Sequence, residues 1–335
     1  MTVRTIRNLL RCVTPSRAWN LARMTASYRL SVLTGRSIVW GRPYTLTIEP
    51  TNRCNLSCPE CPSGSGAMTR PQGMLAFEDF RRIVDEVRGE VFYLQLFFQG
   101  EPFINNRLLD MIRHAHGRRM YVSVSTNAHY IREKTAAELA TSGLDRLIVS
   151  IDGLTQEVYE QYRVGGKLAK VHEALELLQR ERKRRGSRME LVLQLLVTRQ
   201  NEEQLDQLRE LAQRYNAEIA LKTMQVYSIE GAEQFLPTDE RYSRYHRVHG
   251  ELRTKNRLRN RCVRLWERSV ITWDGTVVPC CFDKDADHPL GRLNGRSFAD
   301  VWQSDEYHAF RRKILAGRKN VEMCRNCTEG MKIYR

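Results

Sequence analysis

Between Tyr44 and Gln225 the chain repeats one unit, a short apolar run followed by a segment with apolar residues three and four apart. The runs fall at Leu46 to Glu49, Phe92 to Phe98, Tyr121 to Thr126, Arg146 to Ile151, Leu191 to Thr198 and Ile219 to Gln225. Between them lie "FEDFRRIVDEV", "RLLDMIRHAHG", "REKTAAELATSG", "KVHEALELLQRERKRRG" and "NEEQLDQLRELAQRYN", most of which stop at Gly or Asn, as helices often do. Such alternation builds a parallel sheet with helical crossovers. The pattern fails near Glu230, short of the roughly 250 residues that a closed eight-unit barrel takes. The expected fold is α/β, a partial (β/α)6 TIM-type barrel over residues 43–229.

The flanks differ from the barrel. Residues 230–261 are polar and basic without clear period and read as a connector. Residues 262–335 hold five of the nine cysteines and one hairpin signature, "SVITWDGTVVPCCF", in which Asp274 and Gly275 suit a tight turn. Residues 1–42 form an extension, and about half of the net charge of +15 lies near it, since the first 48 residues hold eight Arg and no Lys, Asp or Glu. In "VRTIRNLLRCV", Ile6, Leu9, Leu10 and Val13 recur at helical spacing with Arg4, Arg7 and Arg11 interleaved, the pattern of a basic amphipathic helix. Such an arm can pack on the main domain, lie on an anionic membrane or nucleic acid, or act as a targeting segment. Packing is the expectation, with an anionic membrane or nucleic acid as a secondary contact.

No run approaches the roughly 18 apolar residues of a membrane span, and no short apolar core with a cleavage site marks a secretory signal. Eight of the nine cysteines fall into two groups, which speaks for metal ligation in a reducing compartment over a disulfide framework. A cytoplasmic location follows as the expectation. Cys12, the one outside both groups, reads as a small apolar residue.

The first group, in "EPTNRCNLSCPECPSG", is Cys54, Cys58 and Cys61, placed just after the first strand, where barrel chemistry collects. Structural zinc wants four protein ligands, and no further Cys or His follows closely. A cubane cluster with three cysteinyl irons and one open iron fits better. This spacing, C-x3-C-x2-C, resembles the cluster motif of the radical S-adenosylmethionine (radical SAM) superfamily. "FFQGEPF" resembles that family's Gly-Gly-Glu-Pro segment, with Gln99 in place of the first Gly. "STN" at Ser125 to Asn127 and "SIDG" at Ser150 to Gly153 stand where the family contacts ribose and the methionine carboxylate. Arg163 in "YEQYRVGG" resembles the arginine that pairs with that carboxylate. One departure is Glu60, at a position that is often aromatic in the family.

The resemblance implies that S-adenosylmethionine chelates the open iron of a [4Fe–4S] cluster and is cleaved to methionine and a 5′-deoxyadenosyl radical. It implies cofactor contacts at Gln99, Gly100, Glu101, Pro102, Ser125, Asn127, Ser150, Asp152 and Arg163. Glu101 would accept from the methionine amine, and Asp152 or Asn127 would hold ribose hydroxyls. The second group has the pattern C-x17-C-C-x42-C-x2-C. Alone it also suits zinc, but it resembles the shortened, single-cluster SPASM (twitch) domain. That likeness implies a second, auxiliary [4Fe–4S] cluster on Cys262, Cys280, Cys324 and Cys327. Cys281 could exchange with Cys280, line the substrate cavity, or be buried.

A cluster with all irons ligated suits electron transfer, so the leading expectation is an oxidoreductase acting on an unidentified small molecule or peptide, with a flavodoxin or ferredoxin as electron donor. Lys222, Asp283, Asp285 and His288 are candidate bases or substrate contacts. The alternatives are a maturase of ribosomally made peptides, or a non-catalytic iron–sulfur or zinc protein that binds nucleic acid through its basic arm.

Overall fold

The computed structural model describes residues 3–226, 233–329 and 331. Six parallel strands lie side by side in chain order: β1 (Thr45–Ile48), β2 (Tyr93–Gln95), β3 (Tyr121–Thr126), β4 (Arg146–Ser150), β5 (Glu190–Val197) and β6 (Glu218–Thr223). The helices of the arm and barrel are α1 (Val3–Leu10), α2 (Pro15–Thr34), α3 (Pro62–Ser65), α4 (Phe77–Val87), α5 (Leu108–Gly117), α6 (Glu133–Leu139), α7 (Gln156–Tyr162), α8 (Leu168–Arg184) and α9 (Leu205–Arg214). Because successive strand residues face opposite ways, register sorts the two faces of the sheet. Leu46, Leu94, Val122, Leu147 and Leu191 join the helices' apolar stripes in one core. The alternate residues, among them Thr47, Gln95, Ser123, Ser150, Gln194 and Lys222, share the inner face. That inner face mixes these polar groups with Ile148, Val192 and Leu196. β2 is shorter than the run Phe92 to Phe98 suggested, because the chain leaves the ladder to bring Gln99 against Glu49, whose Oε1 accepts the Gln99 N–H at 3.3 Å.

The connector is not aperiodic throughout. It contains an antiparallel hairpin, β7 (Tyr245–Val248) and β8 (Glu251–Thr254), turned by His249 and Gly250, both at positive φ. The boundary expected between residues 229 and 230 lies outside the described residues. The C-terminal region joins the barrel sheet: β9 (Arg268–Ile271) pairs parallel with β1, Thr45 opposite Arg268, and β10 (Thr276–Val278) and β11 (Gly291–Arg292) continue it antiparallel.

The arm packs against the opposite end of the barrel from the cysteine loop. Thr14 caps α2, Pro15 opens it and Gly35, at φ +70°, ends it, the usual asymmetry of helix ends. Thr5 Oγ1 and Asn8 Nδ2 of α1 donate to the buried Glu190 at 2.9 and 3.1 Å, beside Tyr121 and Arg146. Arg11 pairs with Asp145 at 2.8 Å. The buried Arg17 guanidinium donates to the carbonyls of Cys12, Arg88, Arg118 and Arg119, closing the ends of α4 and α5. Further along the same buried face of α2, Tyr28 meets Trp266 edge-on.

Candidate active site

The loop from Glu49 to Gly73 leaves β1 and carries Cys54, Cys58 and Cys61. Turns fix it: the Cys61 N–H donates to Cys58 O at 3.2 Å and Ser65 N–H to Cys61 O at 2.8 Å. A Cβ at Gly64 would lie 2.6 Å from Cys58 N, and one at Gly100, whose φ is +73°, 2.6 Å from Arg53 O. Glycine is required at both places, so that the Gln99–Pro102 segment can lie under the cysteine loop. The three thiols sit with Leu56, Tyr162, Met224 and Phe235 in a small apolar cluster of their own.

The residues expected around the cofactor converge on this loop. Arg163 Nη1 is 3.8 Å from Cys58 Sγ, Asn127 Nδ2 is 4.0 Å from Cys54 Sγ, and Cys61 Sγ is 3.9 Å from Gln99 Oε1. Glu101 is fully buried, and its carboxylate accepts from Thr126 Oγ1 at 2.7 Å, Asn127 N at 2.7 Å and Phe103 N at 3.2 Å. It clamps the end of β2 to the end of β3, and burial raises its pKa. Both oxygens of Asp152 are engaged within the protein, Oδ2 by Arg163 Nε at 2.6 Å and Oδ1 by Leu196 N at 2.6 Å, so it holds Arg163 from behind. Burial opposes the charge on Arg163, yet Asp152 and Cys58 hold its pKa well above the ordinary value. Ser125 is half-buried and Ser150 buried on the inner face, while Pro102 starts a single helical turn after Glu101.

Three positioning groups escaped the sequence reading. His129 Nε2 accepts from Lys167 N at 2.8 Å while Nδ1 donates to Asn127 O at 2.9 Å, tying the β3 loop to the turn after Arg163. Glu49, fully buried, takes a two-pronged pair from Arg70 at 2.6 Å and 2.6 Å and accepts from Trp273 N at 3.1 Å. Arg70 in turn donates to Lys284 O, and Asp285 receives Thr69 N, Thr69 Oγ1 and Arg70 N. The cysteine loop is thus docked on the C-terminal region. Only the downstream hairpin signature and the acidic residue before "PTNRC" hinted at this.

Cys262, Cys280, Cys324 and Cys327 line one small cavity with Leu265, Phe310 and Arg318. Arg318 Nη2 lies 3.1 Å from Cys327 Sγ. Cys281 is turned away: it is exposed, 3.7 Å from Arg264 Nη1, and does not line this cavity. Asp283 accepts from Asp287 N and His288 N, which with the Thr69 contacts of Asp285 makes both acids structural. Lys222 is exposed at the end of β6, with no hydrogen bond or ion pair among the described residues.

Burial pushes the Cys58 and Cys324 thiols up to about 11 and raises Cys54 and Cys262. Thiols held in such surroundings ligate as thiolates only when metal charge offsets the burial. Arg163 and Arg318, each against one group, add to that compensation. The donor sets fit iron–sulfur clusters, three thiols at the loop and four around the cavity. Among the described residues no three metal-binding side chains converge closely enough for a single ion.

Comparison with known proteins agrees. Residues 48–212 match the family described as "Radical SAM superfamily", and residues 262–328 the "Iron-sulfur cluster-binding domain" called SPASM. The chain belongs to the radical SAM superfamily. As a radical SAM protein it uses S-adenosylmethionine and a [4Fe–4S] cluster, with an auxiliary iron–sulfur cluster in its SPASM region. It is 34% identical to the mycofactocin maturase MftC of Mycobacterium ulcerans over 180 residues, 53% of this chain and 47% of that one. The match thus spans about half the length of that relative. It is 27% identical to the PqqA peptide cyclase of Rhodopseudomonas palustris over 291 residues, 80% of this chain and 75% of that one. Its fold is that of Streptococcus suis SuiB bound to S-adenosylmethionine, with a TM-score of 0.64 at 15% identity, covering 86% of this chain and 73% of SuiB. No helix among the described residues is long and apolar enough to cross a membrane.

Proposed function

We propose that this radical SAM enzyme is a cytoplasmic maturase that oxidises a ribosomally made peptide. The observation that carries this reading is the kinship with a mycofactocin maturase and a PqqA peptide cyclase. It takes precedence over a small polyol or sugar as substrate. The polar groups on the inner face of the sheet support it, since an extended backbone needs partners for its own N–H and C=O groups. S-adenosylmethionine and a reduced cluster at the first site would supply hydrogen-atom abstraction from the substrate, and a cluster at the second would accept the remaining electron, the matching proton passing to solvent.

The chain's own residues do the rest. Cys54, Cys58 and Cys61 hold the catalytic cluster, and Cys262, Cys280, Cys324 and Cys327 the auxiliary one. Arg163, aimed by Asp152, pairs with the methionine carboxylate. Gln99 to Pro102, Ser125, Asn127 and Ser150 bound the remainder of the cofactor, with Glu101 fixing their mutual positions. A flavodoxin or ferredoxin delivers the electron.

The test is anaerobic reconstitution, then incubation with dithionite, S-adenosylmethionine and either a precursor-peptide library or a metabolite pool. 5′-Deoxyadenosine accompanied by a peptide that has lost the mass of two hydrogens supports the reading. The same loss confined to the metabolite arm overturns it in favour of a small substrate.

A further inference from the structure

The packed arm leaves a second face uncovered. Of the eleven large apolar side chains exposed among the described residues, seven lie in the first 40: Ile6, Leu10, Val13, Trp19, Leu21, Leu33 and Trp40. Leu33 is 81% exposed, Trp19 67%, Leu10 66% and Trp40 47%. On α2 the buried side is Arg17, Asn20, Met24, Ser27 and Ser31. The opposite side presents Trp19, Ala22, Ala26 and Leu33 at helical spacing, bordered by the exposed Arg23 and Arg29. The helix therefore carries an exposed apolar stripe opposite a buried side that joins polar groups to Met24, Tyr28 and Val32.

We propose that this face of the arm rests on an anionic lipid bilayer, with Trp19, Trp40, Leu10 and Leu33 in the headgroup region and Arg7, Arg23, Arg29 and Arg36 against lipid phosphates. Charge and polarity select that occupant together. A second copy of the chain would set arginine against arginine, since the first 48 residues contain no acid to oppose them. A nucleic acid would use the arginines but leave Leu10 and Leu33 without a partner. A bilayer interface takes tryptophan, aliphatic and arginine side chains at once. Each arginine near an anionic surface contributes about a fivefold gain in binding, from roughly 1 kcal/mol apiece. The active-site mouth lies at the other end of the barrel, so the enzyme can sit on the surface with its substrate entrance open.

The experiment is co-sedimentation of the full-length, cluster-loaded protein with vesicles of phosphatidylcholine alone or mixed with phosphatidylglycerol, at low and high salt. Binding only to the anionic vesicles, weakened by salt, is expected. Trp19→Ala combined with Leu33→Ala should reduce it at least tenfold, and Arg23→Gln with Arg29→Gln by roughly twenty-five-fold, each with unchanged iron content. Absence of vesicle binding overturns the proposal. So does binding to RNA or concentration-dependent self-association that the Trp19 and Leu33 changes leave untouched.

Discussion

The two cysteine sites share a donor atom and differ in almost everything else. The loop site has three thiols, with Cys54 and Cys61 partly exposed, and is ringed by Gln99 and Asn127 from two strand ends and Arg163 from the end of α7. The C-terminal site has four thiols around a small, mostly apolar cavity, with Arg318 against one sulfur. A site that must admit and release a charged cofactor needs open coordination and polar neighbours. A site that passes electrons needs closure and a fixed low-dielectric surround. The contrast teaches that openness is set by what the neighbouring strands contribute, not by cysteine spacing alone.

The sharpest way to break the contrast is to empty the open site. Replacing Cys54, Cys58 and Cys61 together by Ala should abolish 5′-deoxyadenosine formation and lower iron from about eight to about four per chain, read by chromatography and iron assay. Emptying the closed site should separate two activities that the first change cannot. Cys324→Ala with Cys327→Ala is expected to leave reductive cleavage of S-adenosylmethionine measurable while oxidised product disappears. Loss of both activities would show that the sites are not independent.

A finer probe is Asp152→Asn, which keeps the shape behind Arg163 and removes the charge. S-adenosylmethionine binding, followed by equilibrium dialysis, should weaken roughly tenfold, the usual cost of losing a supporting partner of a binding group. The smallest effect is expected from pH. Burial lowers the pKa of His129, so the folded protein binds fewer protons there than the unfolded chain. Its stabilising contribution is present above the ordinary imidazole value of about 6.5 and fades as pH falls below it. The protection factor of the Lys167 amide, whose N–H donates to His129, should fall on acidification once the intrinsic exchange rate is divided out, and His129→Asn should remove that dependence.

Much of the barrel was legible because its outer face obeys one rule. β3 and α4 have the expected limits, Tyr121–Thr126 and Phe77–Val87, since period and end signals agree there. α2 was missed as a helix because Asn20, Ser27 and Ser31 interrupt the buried face around Met24, Tyr28 and Val32, which blurs its apolar period. Its only signals were Thr14-Pro15 and Gly35. β7 and β8 were hidden by charge, although the His249-Gly250 pair marks a tight turn. At the site, the residue types were readable but not their engagements. Nothing in "SIDG" says that Asp152 faces Arg163 and Leu196 N, and the Glu49–Arg70 pair arises only when the loop folds back on itself.

The pairing of β1 with β9 bears on how the protein comes into being. Thr45 is made early and its neighbour Arg268 late, so a growing chain carries β1 with one edge bare until most of synthesis is over, a state prone to sticking to other chains. The loop with Cys54, Cys58 and Cys61 likewise acquires its bed at Lys284 and Asp285 only then. A chain cut before Lys284 and Asp285 would therefore leave the loop undocked.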